Sequence, residues 1–145
     1  MNFPGDPEIR NKHTEKGIDY SAFLATYSYC SFNVAVYSYV PNFVPSRPDF
    51  WEWFVEDSQS SDLRAMNMTL RAGTDHNVSV NLVQAREFIG ENEKLILKQR
   101  VFVVGAPPKG FNEYETKVVC PKGQESEALF SSFLDSFRFL DTSKQ

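Results

Sequence analysis

Residues 124–140 read QESEALFSSFLDSFRFL, and four phenylalanines fall within the ten residues from Phe130 to Phe139. Leu129, Phe130, Phe133, Leu134 and Phe137 stand at i, i+1, i+4, i+5 and i+8, which puts them on one face of an α-helix. Glu127, Ser131, Ser132 and Asp135 lie elsewhere on it. Burying each Phe or Leu contributes about 1.5–3 kcal/mol, so five are worth on the order of 10 kcal/mol before conformational entropy is charged. That equals the net stability of a typical domain. A chain with this stripe must supply an apolar surface for it to cover, and a sheet is the expected partner.

The rest of the sequence supplies strands. Ile18 to Tyr29 and Phe32 to Tyr39 are rich in aromatic and β-branched residues and read as a strand pair joined near Cys30-Ser31. Phe32, Val34, Val36 and Ser38 share one face of the second run; Asn33, Ala35, Tyr37 and Tyr39 share the other. Neither face is strongly polar, which predicts a central strand covered on both sides. Val78, Val80 and Leu82 alternate with polar residues, Arg86 to Ile89 follows, and Gly90-Glu91-Asn92 reads as a turn. Leu95 to Val104 is a long strand, Gly105 to Gly110 a loop, and Tyr114, Thr116, Val118 and Cys120 share one face of the last strand. Short connections between them imply an antiparallel meander.

Before the first strand, residues 1–17 are expected to be an entry loop with room for a short edge strand, because Phe-Pro-Gly-Asp-Pro removes backbone donors and favours turns. Pro41 and Pro45 stop the early sheet. Ser46-Arg47-Pro48-Asp49 then resembles a helix start with serine placed to cap. Phe50 to Val55 is almost solidly apolar, whereas Asp57 to Ser61, DSQSS, has poor helix propensity before Leu63, Met66 and Leu70 resume a helical spacing. One helix with a break, or two short ones, is the expectation, with Gly73 and the polar residues after it as stop and loop.

A length of 145 residues fits a single α+β domain over 1–145, ending in a short tail at 141–145. At 14% aromatic, with 13 Phe and 6 Tyr, the composition excludes disorder. Net charge is −4 and no Lys/Arg cluster exceeds a pair, so nucleic acid is not an expected partner. No apolar run approaches the ~20 residues of a transmembrane helix. Cys30 and Cys120 end strand-like runs where they can meet. Two free buried thiols are the ordinary reading, and a bridge, the alternative, points to an oxidising compartment.

Chemical motifs are sparse. His13 and His76 have no second ligand at metal spacing, so no metal site is assigned. There is no Gly-x-Ser-x-Gly, and Gly105 to Gly110 contains two prolines that remove donors a phosphate loop would use. Asn67-Met68-Thr69 and Asn77-Val78-Ser79 match the glycosylation acceptor pattern, which matters only in a eukaryotic secretory setting. The carboxylates Glu113 and Glu115 share a strand face that reads as solvated, and Glu125 and Glu127 suit the N-terminus of the last helix. Neither pair is assigned a catalytic role. In Phe50-Trp51-Glu52-Trp53-Phe54, Phe50, Trp53 and Phe54 can share a helix face while Trp51 points away, either under a loop or out as an interface anchor. Trp51, Trp53, Tyr37 and Tyr39 are the candidate binding residues.

Several of these pieces resemble the PsbP-like superfamily, which includes the extrinsic photosystem II subunit PsbP, a Ran-binding nuclear import factor and bacterial lipoproteins such as DcrB and LpqN. They are Phe3-Pro4-Gly5-Asp6-Pro7, the Tyr/Val-rich run from Phe32 to Pro41 with a helix after it, and Arg86-Glu87-Phe88. The run Arg100 to Gly105 leading to Tyr114, Pro121-Lys122-Gly123 and Phe133 to Phe137 complete the set. Many relatives carry glycine where this chain has Ala85. The resemblance implies an α/β/α sandwich on a twisted antiparallel sheet, an extracytoplasmic setting, and a binding or assembly role with no shared catalytic constellation. The resulting expectation is a non-catalytic module without cofactor, directed at another protein. The alternative is a small-ligand or enzymatic domain with a pocket between the sheet and the Trp-rich helix.

Overall fold

A computed structural model of the chain describes Phe3, the backbone of residues 8–15, and residues 17–137. Among these, β1 (Glu8–Glu15), β2 (Ile18–Tyr27), β3 (Cys30–Tyr39), β4 (Thr69–Leu70), β5 (His76–Val80), β6 (Val83–Glu91), β7 (Leu95–Val104) and β8 (Phe111–Pro121) form one sheet. Its order is β1-β2-β3-β8-β7-β6-β4, with β5 also pairing β6, and every pairing is antiparallel. Helix α1 (Phe50–Ala65) connects β3 to β4, and α2 (Glu127–Leu134) follows β8. The class is α+β, as expected.

Each face of the sheet carries one helix. Along β7, Ile96 and Phe102 belong to a core with Phe32, Val34, Val118, Phe130, Phe133, Leu134 and Phe137. Leu97, Val101 and Val103, one residue out of step, belong to a second core with Phe50, Val55, Leu63, Phe88 and Phe111. The terminal stripe therefore covers the sheet as its spacing predicts, with Phe133 edge-on to Phe32 at 5.0 Å and to Phe3 at 5.3 Å. Ser126 caps α2, its hydroxyl accepting from the Leu129 N–H. Helix α2 ends at Leu134, so Phe137 reaches the core from the turn beyond it. The outer part of the stripe from residue 138 and the tail at 141–145 lie outside the described residues, as does the Phe-Pro-Gly-Asp-Pro opening apart from Phe3.

The N-terminal segment differs from the expected entry loop. Residues 8–15 form a full edge strand whose backbone pairs with β2, a property that a polar sequence does not advertise because main-chain bonds hold the edge. The β2–β3 turn is Ser28-Tyr29, not Cys30-Ser31, and the β5–β6 turn is Asn81-Leu82, which takes Leu82 out of the strand. All four residues have positive φ, from 50° to 68°, as a two-residue hairpin of type I′ demands. Gly90 and Glu91 continue β6, and the turn comes after them, where Asn92 Oδ1 accepts from the N–H groups of Lys94 and Leu95 at 2.9 Å. A Cβ on Gly90 would collide with Leu63 Cδ2, so the glycine serves the close approach of α1 to the sheet.

Helix α1 is continuous through the DSQSS stretch that reads as a break, and it starts at Asp49 with no side-chain cap. Its i, i+4 ladder Trp51, Val55, Gln59, Leu63 packs on the sheet, and burial of that ladder outweighs a few tenths of a kcal/mol of poor propensity per residue. Met66 is the C-cap and Leu70 lies in β4, so neither extends the helical spacing. Cys30 and Cys120 are joined by a disulfide, which replaces the free-thiol reading. The register explains the meeting: Ser31 pairs with Val119, leaving the cysteines adjacent at the end of the β3–β8 ladder.

Candidate functional site

Glu113 and Glu115 are not solvated. They are 4% and 2% exposed on the α1 face of β8, the fourth strand in an eight-stranded sheet, and the helix crosses above them. Pairing sets Tyr37 beside Glu113 and Ala35 beside Glu115 on one flank, with Val103 and Val101 on the other. A second α1 ladder, Phe50, Phe54, Ser58, Asp62, lies over this row. The site is thus built by a helix stripe from the supposedly breaking stretch and by the strand acids that alternate with Tyr114 and Val118.

One hydroxyl links the acids. Ser58 Oγ lies 2.6 Å from Glu113 Oε2 and 3.0 Å from Glu115 Oε1. A serine hydroxyl donates a single hydrogen, so both contacts are hydrogen bonds only when one carboxyl is protonated and donates back to the serine oxygen. Asp62 stands close enough to Glu115 to oppose its ionisation. Gln99 Nε2 holds Asp62 Oδ2 at 2.7 Å, and Lys117 Nζ stands 3.8 Å from Glu115 Oε2.

Burial raises Glu113 from its ordinary 4.5 to about 7, with the nearby Asp62 charge adding to it while the Ser58 hydrogen bond opposes. Glu115 is pushed well above 4.5 by burial first, then by Asp62 and Glu113. Tyr37 and Tyr39 are likewise pushed above their ordinary 10 by burial and the acids beneath them, so their hydroxyls stay protonated. At neutral pH the pair behaves as a unit that retains a proton.

The carboxyls open onto a cleft of about 370 Å³ between α1 and the sheet. Ile18, Tyr37, Tyr39, Phe43, Val44 and Phe54 supply apolar and aromatic wall, and Trp53, Asp57 and Ser61 form the outer α1 rim. Tyr39 stacks on Phe111 at 4.6 Å and meets Phe54 edge-on at 5.6 Å, which fixes the wall's shape. A larger hollow of about 610 Å³ at Asn67, Asn92, Glu93, Lys94 and Leu95 is lined by neither Glu113 nor Glu115, and Asn92 there is spent on its own turn and on the Met66 and Asn67 carbonyls.

Of the four aromatic candidates, three come together in this cleft: Tyr37, Tyr39 and Trp53. The helix phase decides between the two placements left open for Trp51. Trp51 lies on the buried ladder and packs against the core, with the Arg86 guanidinium 5.9 Å from its ring, whereas Trp53 is 36% exposed and carries Arg47 at 4.6 Å. His76 sits 3.6 Å from Glu87, and Glu127 pairs with Lys98 at 2.8 Å on the surface. Among the described residues no group of three His, Cys, Asp or Glu is placed to hold a metal ion, and no helix is long and apolar enough to cross a membrane. No family model, curated protein or solved structure matches the chain.

Proposed function

We propose that this chain is a non-catalytic binding module whose ligand is a small molecule held in the cleft between α1 and β3/β8. The observation that carries the reading is the buried Glu113–Glu115 pair, opened onto a cleft of about 370 Å³ with an aromatic wall. Buried acids cost stability, and pockets of roughly 300–1,000 Å³ with a few convergent polar groups are the usual form of a small-ligand site. Binding is favoured over catalysis because both carboxyls are already tied to one serine hydroxyl.

A protein partner is the second reading, supported by exposed Trp53, Phe43 and Val40 near the cleft mouth. Its anchor is then Trp53 and not Trp51. The PsbP-like sandwich remains the fold-family reading, supported by one helix on each face and by the terminal Phe stripe. The disulfide supports an extracytoplasmic setting.

Amide chemical-shift mapping with a library of small fragments tests the cleft. The expected outcome is that binding fragments perturb residues 53–62 and 113–115 together. Perturbations confined to other surfaces, or none, would remove the cleft from the account.

A further inference from the structure

We propose that the cleft selects an organic ammonium ion with an apolar body, which lodges its charge on the Glu113–Glu115 pair and displaces the proton they hold. This inference rests on the binding-cleft reading and adds the class of ligand.

Three separate features converge on that class. First, Glu113 accepts one hydrogen bond, from Ser58 to Oε2; its Oε1 has no hydrogen-bond or ion-pair partner among the described residues, although the side chain is 4% exposed and lines the cleft. A carboxyl oxygen of a nearly buried side chain that is open to the cleft and has no donor among the described residues is a position for a donor that arrives from outside. Second, the surroundings are negative. Asp57 and Asp62 face the pair from α1, and Lys117 on β8 is the basic group that opposes them. Tyr37 and Tyr39 from β3, Ser58 from α1 and Gln99 from β7 bring only neutral donors and acceptors. An anion is repelled here, whereas a cation replaces charge that the site otherwise suppresses by protonation.

Third, the wall is aromatic. Tyr37, Tyr39, Phe43 and Trp53 surround the mouth, and ring faces attract cations most strongly when water is excluded. Trp53 already carries such a contact, with the Arg47 guanidinium 4.6 Å from its ring centroid on the side facing Pro45, Pro48 and Asp49. The exchange balances: one ammonium enters, one proton leaves for solvent, and the net charge of the site is unchanged.

The test uses three probes of like shape on the whole chain: 2-phenylethylammonium, 2-phenylethanol and 3-phenylpropionate. The ammonium should bind about tenfold or more tightly than the alcohol, as a charge-assisted hydrogen bond to a buried carboxylate provides, and the carboxylate probe most weakly. Affinity for the ammonium should climb as pH rises from 5 to 7, and calorimetry at pH 6 in two buffers of different ionisation heat should show close to one proton released per ligand. Glu113→Gln should cancel the advantage of the ammonium over the alcohol, and Glu115→Gln provides a second variant should the first not fold. Equal or tighter binding of the alcohol or the carboxylate at the cleft amides overturns the ammonium inference while leaving the cleft a binding site. No perturbation of those amides by any probe overturns both.

Discussion

The two faces of the sheet solve different problems. Beneath α2 the core is apolar but for the disulfide cysteines and the buried Thr116, and the charged groups beside it are paired, Glu87 and Glu127 with Lys98, and Glu87 and Asp135 with Arg100. Beneath α1, the core row is interrupted by Glu113, Glu115 and Gln99, all reached by one helix ladder through Ser58 and Asp62. The first face stabilises the domain. The second gives up part of that stability to keep an acidic pair dry, which is the usual mark of a site and not of a scaffold.

That contrast is broken most forcefully on the α2 face. Phe133→Ala removes a ring that touches both Phe3 and Phe32 and should cost about 3–5 kcal/mol in chemical denaturation, with no change in any ligand affinity at the cleft. A smaller loss there would mean that α2 is only loosely held.

The α1 face should respond to pH instead. Glu113 has a folded pKa of about 7 against an ordinary 4.5, so the folded state binds the extra proton between those values. Its contribution is fully present below pH 4.5 and is lost as pH rises toward 7; stability should therefore fall by roughly 3 kcal/mol over that window. Glu115, raised in the same direction, extends the decline to higher pH. Glu113→Gln and Glu115→Gln should each flatten the profile in urea melts taken at intervals from pH 4.5 to 8, while Phe133→Ala shifts the whole curve without changing its slope.

Finer again is Gly90→Ala, which tests how closely α1 sits on the sheet. The added methyl meets the Leu63 side chain and should cost about 1–3 kcal/mol by overpacking, and it should also disturb the amides of Asp62, next to Leu63, and of Ser58, between one and two turns before it. The smallest effect is expected at Leu82→Gly. Leu82 is 99% exposed at φ 67°, so glycine should stabilise the hairpin by about 1 kcal/mol, read as a small rise in Tm.

Legibility in the sequence followed the same division. The α2 stripe announces itself because five apolar residues repeat at helical spacing with polar residues elsewhere, and a core built that way needs no partner knowledge. The α1 face hides because its decisive residues look ordinary: Ser58 and Asp62 sit in a stretch of poor helix formers, and an acid on a strand reads the same whether wet or dry. A signal was present nonetheless. Tyr114, Thr116, Val118 and Cys120 already fill one face of β8, so the alternate face carries Phe111, Glu113, Glu115 and Lys117; once β8 lies between β3 and β7, those acids must be buried under whatever covers that side. The missing knowledge was the path of α1, which depends on tertiary packing of Leu63 against Gly90 and not on local propensity. The same dependence left the place of Trp51 open, since a shift of two residues around a helix is 200° and decides which ring meets the core.

Carbon-13 NMR titration of the side-chain carboxyls of Glu113 and Glu115 addresses the shared proton directly. The predicted result is that the Glu113 midpoint lies near 7 and that Glu115 also titrates well above 4.5, so that the pair still holds a proton where ordinary glutamates have lost theirs. Two midpoints at or below 4.5 would show a pair of ionised, solvated acids and would contradict the account of this face of the protein.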